Sequence, residues 1–415
     1  MMNIKFVGVV FSTFFLLNCS TYKNASQTMD EPLIENLLKQ HPEQFDSLMK
    51  KNNQWQIQII YTQIDRDKNN RPHFTNYYFN VDPNRYFYPA STVKMPAAFL
   101  ALHKLNELGI PGLNKNSVML TEATYPGHTA VIKDTSSANG KPGIAHYIKK
   151  IFLVSDNDAH NRLYEFLGQE YFNNTLHRMG YSSVQMLHRL SVNMSDEQNR
   201  HTNPIKFYDE NSKLLYEQPL VNSKLIYEPR QTFYGKGYYS GGKLVEKPFD
   251  FSNKNRISLE DLHSILKAVI FPQAVSKKQR FNLTNDDYRF LYKYMSMKPG
   301  ESDYPRYDTS HYTDAYVKFL MFGGGGPMPD SNIRIFNKVG DAYGFLTDVA
   351  YIVDYNSGVE FMLSATIHCN SDGIYNDDKY DYDTVGFPFM RNLGQVIYQH
   401  EKKRSKKYAP VLIRP

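Results

Sequence analysis

Lys94 stands one helical turn after Ser91 in the stretch Tyr88-Pro89-Ala90-Ser91-Thr92-Val93-Lys94-Met95-Pro96. A serine hydroxyl is a weak nucleophile until a base sits beside it. Helix positions i and i+3 share a face, so the Lys94 amine is within reach of the Ser91 hydroxyl. Burial lowers a lysine pKa and turns the amine into a base. The helix N-terminus adds partial positive charge where an oxyanion would form. The chemistry these two residues offer is acyl transfer through a covalent serine.

The spacing alone is common: Ser-x-x-Lys occurs five times, at Ser20/Lys23, Ser47/Lys50, Ser91/Lys94, Ser240/Lys243 and Ser264/Lys267. Context singles out Ser91. It follows Tyr86-Phe87-Tyr88 and opens Met95 to Leu102, a run too apolar for a surface helix. Ser264/Lys267 falls in mid-helix, where no turn or dipole assists.

Two further elements carry suitable groups. Ser155-Asp156-Asn157 is the only Ser-Asp-Asn in the chain, between the apolar run Ile148 to Val154 and the helix-like Ala159 to Leu167. A serine there could relay a proton to a leaving group, and an asparagine could donate to an amide carbonyl. The same three residue types also cap helices. Lys338-Val339-Gly340 follows Ile333-Arg334-Ile335-Phe336 and precedes a hairpin, Thr347 to Tyr355 and Val359 to His368, turned at Asn356-Ser357-Gly358. The other two Lys-x-Gly triplets, at Lys141 and Lys298, contain proline, which a central strand excludes. Lys338 is therefore placed on a sheet strand.

Ser-x-x-Lys, Ser-Asp-Asn and Lys-x-Gly in this order resemble the penicillin-recognising serine hydrolases, closest to the class A β-lactamases, over roughly residues 45 to 400. The resemblance implies an α/β (α+β type) fold of the β-lactamase/transpeptidase kind: an antiparallel sheet from both chain ends, packed helices and an inserted helical subdomain. It implies that Ser91 is acylated, that Lys94 activates it, and that Ser155 passes protons to the leaving nitrogen. Asn157 would orient the substrate amide, and Lys338 would hold a substrate carboxylate and tune Ser155. Gly340 and Asp341 would line the substrate strand. The backbone N–H groups of Ser91 and Asp341 would form the oxyanion hole, donors worth on the order of 3 kcal/mol each.

Two departures bear on the substrate. Val339 stands where the family has Thr or Ser, removing a hydroxyl from the carboxylate-binding strand. The Glu-x-x-Leu-Asn motif that supplies the deacylating base is missing. The corresponding region is Leu187-His188-Arg189-Leu190-Ser191, and the nearest acids, Glu197 and Glu246, read as surface residues. Such an enzyme would acylate and stall, like a penicillin-binding protein, or act on another ester or amide such as a cell-wall peptide. β-Lactam hydrolysis stays open, as does a non-catalytic binding lipoprotein with the same fold.

The N-terminus reads as a targeting segment. One early lysine precedes the apolar run Phe6 to Leu17, too short to span a bilayer, and Cys19 follows directly. Residues 1–18 are expected to be a signal peptide and 19–31 a tether lipidated at Cys19, on a chain exported and anchored to a bacterial membrane; an ordinary secretory signal is the alternative. Residues 32–403 form the expected hydrolase domain and 404–415 a solvated basic tail. With 41% hydrophobic and 14% aromatic residues the chain can bury a large core and is not disordered. A net charge of +6 without a basic, aromatic-studded stripe argues against nucleic acid as a partner. No His-Glu-x-x-His or Cys-x-x-Cys is present, so neither metal nor cofactor is called for. His128, His146 and His160 read as surface or cap residues, and a monomer is expected.

The elements that must position these groups follow from pattern. Residues 33–50 read as short helices broken at Pro42. Trp55 to Ile64 and His73 to Phe79 read as strands, Ser91 to Leu108 as the nucleophile helix, and 112–260 as mostly helical with long loops. Within the last, 206–254 lacks helical periodicity and reads as an insertion near the cleft mouth. Leu259 to Phe271 and Asp286 to Met297 read as helices, and Gly323 to Gly326 as a flexible bend.

Overall fold

The computed structural model describes residues 27–28, 32–228 and 230–414. Cys19 and the apolar run before it lie outside the described residues.

The sheet is built from both ends of the chain. Its strands are β1 (Gln27–Thr28), β2 (Gln58–Arg66), β3 (Pro72–Phe79), β4 (Ile333–Ala342), β5 (Phe345–Asp354) and β6 (Val359–His368), in the order β1-β3-β2-β6-β5-β4. All pairings are antiparallel except the two-residue β1, which lies parallel to β3. Strand periodicity sends alternate residues to opposite faces, and both faces are covered. Ile59 and Tyr61 enter one core with Leu37, Phe45 and Leu393; Ile60 and Ile64 enter the other with Phe99, Leu262 and Leu266. Strands β5 and β6 are therefore buried along their whole length.

Helix α1 (Lys94–Leu108) is buried on every side from Lys94 to His103 and ends at Gly109, in the left-handed conformation (φ 60°) that glycine adopts without strain. Beside it pack α2 (Ile144–Val154) and α3 (Asn157–Leu167). Further on come α4 (Leu259–Ile270), α5 (Asn285–Ser296) and the closing α6 (Phe387–Lys403). Helices α4 and α6 lie against the sheet, and α5 packs on β4 and α2.

The expected elements recur with informative differences. Trp55 closes a helical turn, Asn52–Trp55, because Gln56 turns left-handed (φ 49°) and delays the strand to Gln58. Pro42 starts a helix instead of only breaking one, at the position where its missing N–H has no helical partner. The span 112–260 carries its long helices in its first half and one short helix at Asp196–Arg200; from His201 to Asp250 the described residues form eight short strands. The tail is not solvated at its start. Arg404 pairs with Asp65 and Glu401, and Lys406 with Glu401, with side chains only 12% and 16% exposed.

Candidate active site

The turn that carries Ser91 is strained in one place. Ala90 adopts φ 45°, a left-handed conformation costly for a residue with a Cβ. Residues Ala90–Val93 then make one 3-10 turn before α1 begins at Lys94, so Ser91 precedes the regular helix that was expected to include it. Pro96 falls in the first turn of α1, where its missing N–H costs little.

Strand β4 approaches this turn closely at Gly340. A Cβ there would lie 2.7 Å from Pro89 O and 2.8 Å from the backbone nitrogens of Ser91 and Thr92. Only glycine permits that approach, which places the strand against the Ser91 N–H.

The Ser155-Asp156-Asn157 turn combines capping with exposure of polar groups. Ser155 is left-handed (φ 61°) at the end of α2, and Asp156 caps α3 by accepting from Ala159 N at 2.7 Å. With Asp156 occupied as the cap, Ser155 and Asn157 face the lysines.

Lys94 Nζ donates to Ser155 O, to Ser155 Oγ at 3.2 Å and to Asn157 Oδ1 at 2.6 Å. Lys338 Nζ donates to Ser155 Oγ at 2.8 Å and to Val339 O at 2.8 Å. Both amines are almost wholly buried. Burial pushes Lys94 down to about 7, against the pull of the Asp156 and Asp341 charges. Burial, reinforced by Lys94, also holds Lys338 well below the ordinary lysine range. Asp341 sits exposed at the end of the same strand.

The structure thus brings Lys94, Ser155, Asn157 and Lys338 into one hydrogen-bonded cluster and packs Gly340 against the Ser91 backbone; among the described residues the Lys94 amine bonds to Ser155 and Asn157 and not to the Ser91 hydroxyl. Val339 points the other way, into the core behind the sheet. Glu197 is surface-exposed on a short helix and Glu246 is exposed in the segment after Val245. Glu165, buried on α3, is engaged by Arg189 at 3.4 Å and by Asn203 at 2.8 Å. None of the three is a free carboxylate facing the cluster.

Sequence reasoning missed several neighbours. His160, expected at the surface, is fully buried one turn after Asn157, and neither ring nitrogen has a partner among the described residues. Its pKa lies well below the imidazole range because of burial and then the charges of Lys94 and Lys338, so it is neutral. His128 and His146 are also buried, held by Asn203 and Gln198 and by Ser136 respectively. Ser191 Oγ accepts from Asn157 Nδ2 at 2.8 Å, and His188 stacks on Tyr88 with centroids 6.2 Å apart. The one signal in the sequence is that Leu187 to Ser191 corresponds to the region that carries the deacylating base in the class A pattern. Among the described residues no group of three or more His, Cys, Asp or Glu comes together to hold a metal ion.

The sequence pattern of the Beta-lactamase enzyme family matches residues 41–400. The chain belongs to that family. Among solved structures it is similar to a β-lactamase from Sphaerobacter thermophilus DSM 20745, at 10% identity and TM-score 0.48, covering 91% of this chain and 100% of that one. It is also similar to PBP-A, at 14% identity and TM-score 0.46, over 91% of this chain and 98% of the other. A β-lactamase from Xanthomonas campestris pv. campestris matches at 11% identity and TM-score 0.47, over 88% and 98%. No curated protein matches the chain. For a member of the β-lactamase enzyme family, the buried lysine pair around Ser155 is the chemically informative feature, because two amines with depressed pKa values meet at one hydroxyl.

Proposed function

We propose that the protein is a serine acyl-transfer enzyme of the penicillin-recognising kind, in which Ser91 attacks an amide or ester carbonyl and becomes acylated. The observation that carries this reading is the convergence of Lys94 and Lys338 on Ser155 Oγ, with Lys94 poised near pH 7. A general base works best with a pKa near the operating pH. Neutral Lys94 would take the Ser91 proton. Ser155, held between the two amines, would return a proton to the leaving nitrogen. The Ser91 N–H, against which Gly340 lets β4 pack, would pair with the Asp341 N–H to stabilise the oxyanion. Asn157 would orient the substrate amide with the Nδ2 that now donates to Ser191.

Deacylation is the step this chain is poorly equipped for. Glu197 and Glu246 face solvent and Glu165 is engaged by its neighbours. A penicillin would therefore acylate Ser91 and remain, and the natural substrate would be a peptide or ester that leaves more readily. Export and lipid anchorage through Cys19 belong to the same reading, on the sequence of the first nineteen residues.

Intact-mass spectrometry of the full chain mixed with benzylpenicillin, beside Ser91→Ala, tests it. A lasting adduct on the wild type only is the expected result. Drug consumption without an adduct would mean efficient hydrolysis by a different base. Neither adduct nor consumption would overturn the penicillin-recognising reading.

A further inference from the structure

Near the Ser91 cluster lies a cavity of about 270 Å³, between residues 188–199 and residues 250–254. His188, Asn193, Asp196, Asp250, Asn253 and Lys254 line it. Its volume would admit a small head group rather than a whole ligand.

Three connections bind this cavity to the cluster. His188 stacks on Tyr88, three residues before Ser91, and burial keeps its ring neutral. Ser191, three residues after His188, accepts from Asn157. Lys254 lies over the rings of Phe249 and Tyr343, 6.0 and 5.8 Å from their centroids. Tyr343 follows the substrate strand by one residue and packs edge-on against Tyr88, centroids 5.1 Å apart.

The charge arrangement gives the ligand chemistry. Lys254 is half-buried against aromatic faces, and among the described residues no carboxylate lies within ion-pair range of it. Cation–π contacts hold the ammonium in place without neutralising it. Burial lowers its pKa, while the more distant Asp196 and Asp250 carboxylates hold it up. Among the described residues the Asp250 carboxylate accepts a hydrogen bond from the Ser252 amide alone, at 2.7 Å, and both aspartates are exposed at the cavity. The cavity thus offers one cation and two carboxylates, unpaired with each other among the described residues, and asparagine side chains in its lining.

Resting on the acyl-enzyme reading above, we infer that this cavity is a substrate subsite for a zwitterionic amino-acid head group at the end of a side chain. Its carboxylate faces Lys254 and its ammonium faces Asp250 and Asp196. Lys254 provides an anion contact from outside the substrate strand. A purely anionic head would leave both aspartates repelling it, and a purely cationic one would leave Lys254 opposed.

Calorimetry on the full chain tests this with Nε-acetyl-lysine, which presents a free amino-acid head on an amide-ended arm. Two controls remove one charge each: Nε-acetyl-lysinamide lacks the carboxylate, and Nα,Nε-diacetyl-lysine lacks the ammonium. Nε-acetyl-lysine should bind at least tenfold more tightly than either, and equally to wild type and Ser91→Ala. Lys254→Gln should abolish the preference over the amide. Asp250→Asn with Asp196→Asn should abolish the preference over the diacetyl compound. Absence of binding, equal binding of the three compounds, or preferences that survive in folded variants would overturn the inference. Because no acylation is needed, discrimination with neither a penicillin adduct nor drug consumption would sink the acyl-enzyme reading alone. An adduct without discrimination would sink the subsite alone. If a variant fails to fold, the three-compound comparison on wild type still decides.

Discussion

Lys338 Nζ donates to Ser155 Oγ at 2.8 Å, tying strand β4 to the turn between α2 and α3. The two residues are far apart in sequence and come from the sheet and the helical part respectively. A proton moving through Ser155 needs this bond to fix its hydroxyl. Lys338→Ala should lower the rate of Ser91 acylation by benzylpenicillin on the order of 10²- to 10³-fold, the usual size of a proton-transfer contribution. Rapid-quench mass spectrometry would measure it, and a loss below threefold would remove Lys338 from the mechanism.

Lys94 gives a pH signature. With its pKa lowered by burial to about 7, the amine accepts a proton only in the neutral form, so acylation should rise with pH through about 7 and level off above. The Asp156 charge holds that pKa up. Asp156→Asn keeps a capping side chain and should move the midpoint to lower pH. A profile flat from pH 5 to 9, or a midpoint that rises in Asp156→Asn, would count against Lys94 as the base.

Gly340 is tested by adding one carbon. Its Cβ would meet backbone atoms of Pro89, Ser91 and Thr92, and backbone cannot swing aside as a side-chain tip can. Gly340→Ala should cost about 1–3 kcal/mol of stability, as overpacking does. It should also cut acylation by more than tenfold, because β4 must withdraw from the Ser91 N–H. Denaturant unfolding and acylation rates check the two parts; an unchanged acylation rate would show that the strand does not help form the oxyanion site.

Much of this site is legible in the sequence because its parts are local. Ser91 and Lys94 are one turn apart, Ser155 to Asn157 are contiguous, and Lys338 to Gly340 announce themselves by the β-branched run before them and the hairpin after. The sheet follows for the same reason: alternation from Ile59 to Ile64 and the apolar density of β5 and β6 suit only strands. What stayed hidden depends on tertiary placement. His160 looks like any polar helix residue until α1 packs against α3 and brings the Lys94 charge near it. Ala90 carries no sign of its positive φ, since alanine is not a residue that seeks one. The short strands after His201 are two to five residues long, below the length at which periodicity can be read. Lys254 acquires meaning only when Tyr343, far along the chain, comes to lie beneath it.

A further buried group sets the geometry of β4 from behind. Lys318 Nζ donates to Met295 O at 2.9 Å, Ile335 O at 2.8 Å and Asn337 Oδ1 at 2.7 Å. Asn337 passes the link to Asp348 Oδ1 at 2.8 Å, whose other oxygen accepts from Phe319 N and Leu320 N. Asn337 precedes Lys338 and points to the opposite face, so this network fixes the register from which Lys338 reaches Ser155. Lys318→Met would leave three acceptors unpaired and a buried carboxylate without its counter-charge. Leaving a buried acceptor unsatisfied costs about 1–3 kcal/mol. Pairing it with Asp348→Asn should recover part of that loss, since the two residues act through one network. Urea unfolding of the single and double variants measures the coupling. If the two effects simply add, Lys318 and Asp348 stabilise the strand independently, and the account of how Lys338 is aimed would have to rest on Gly340 alone.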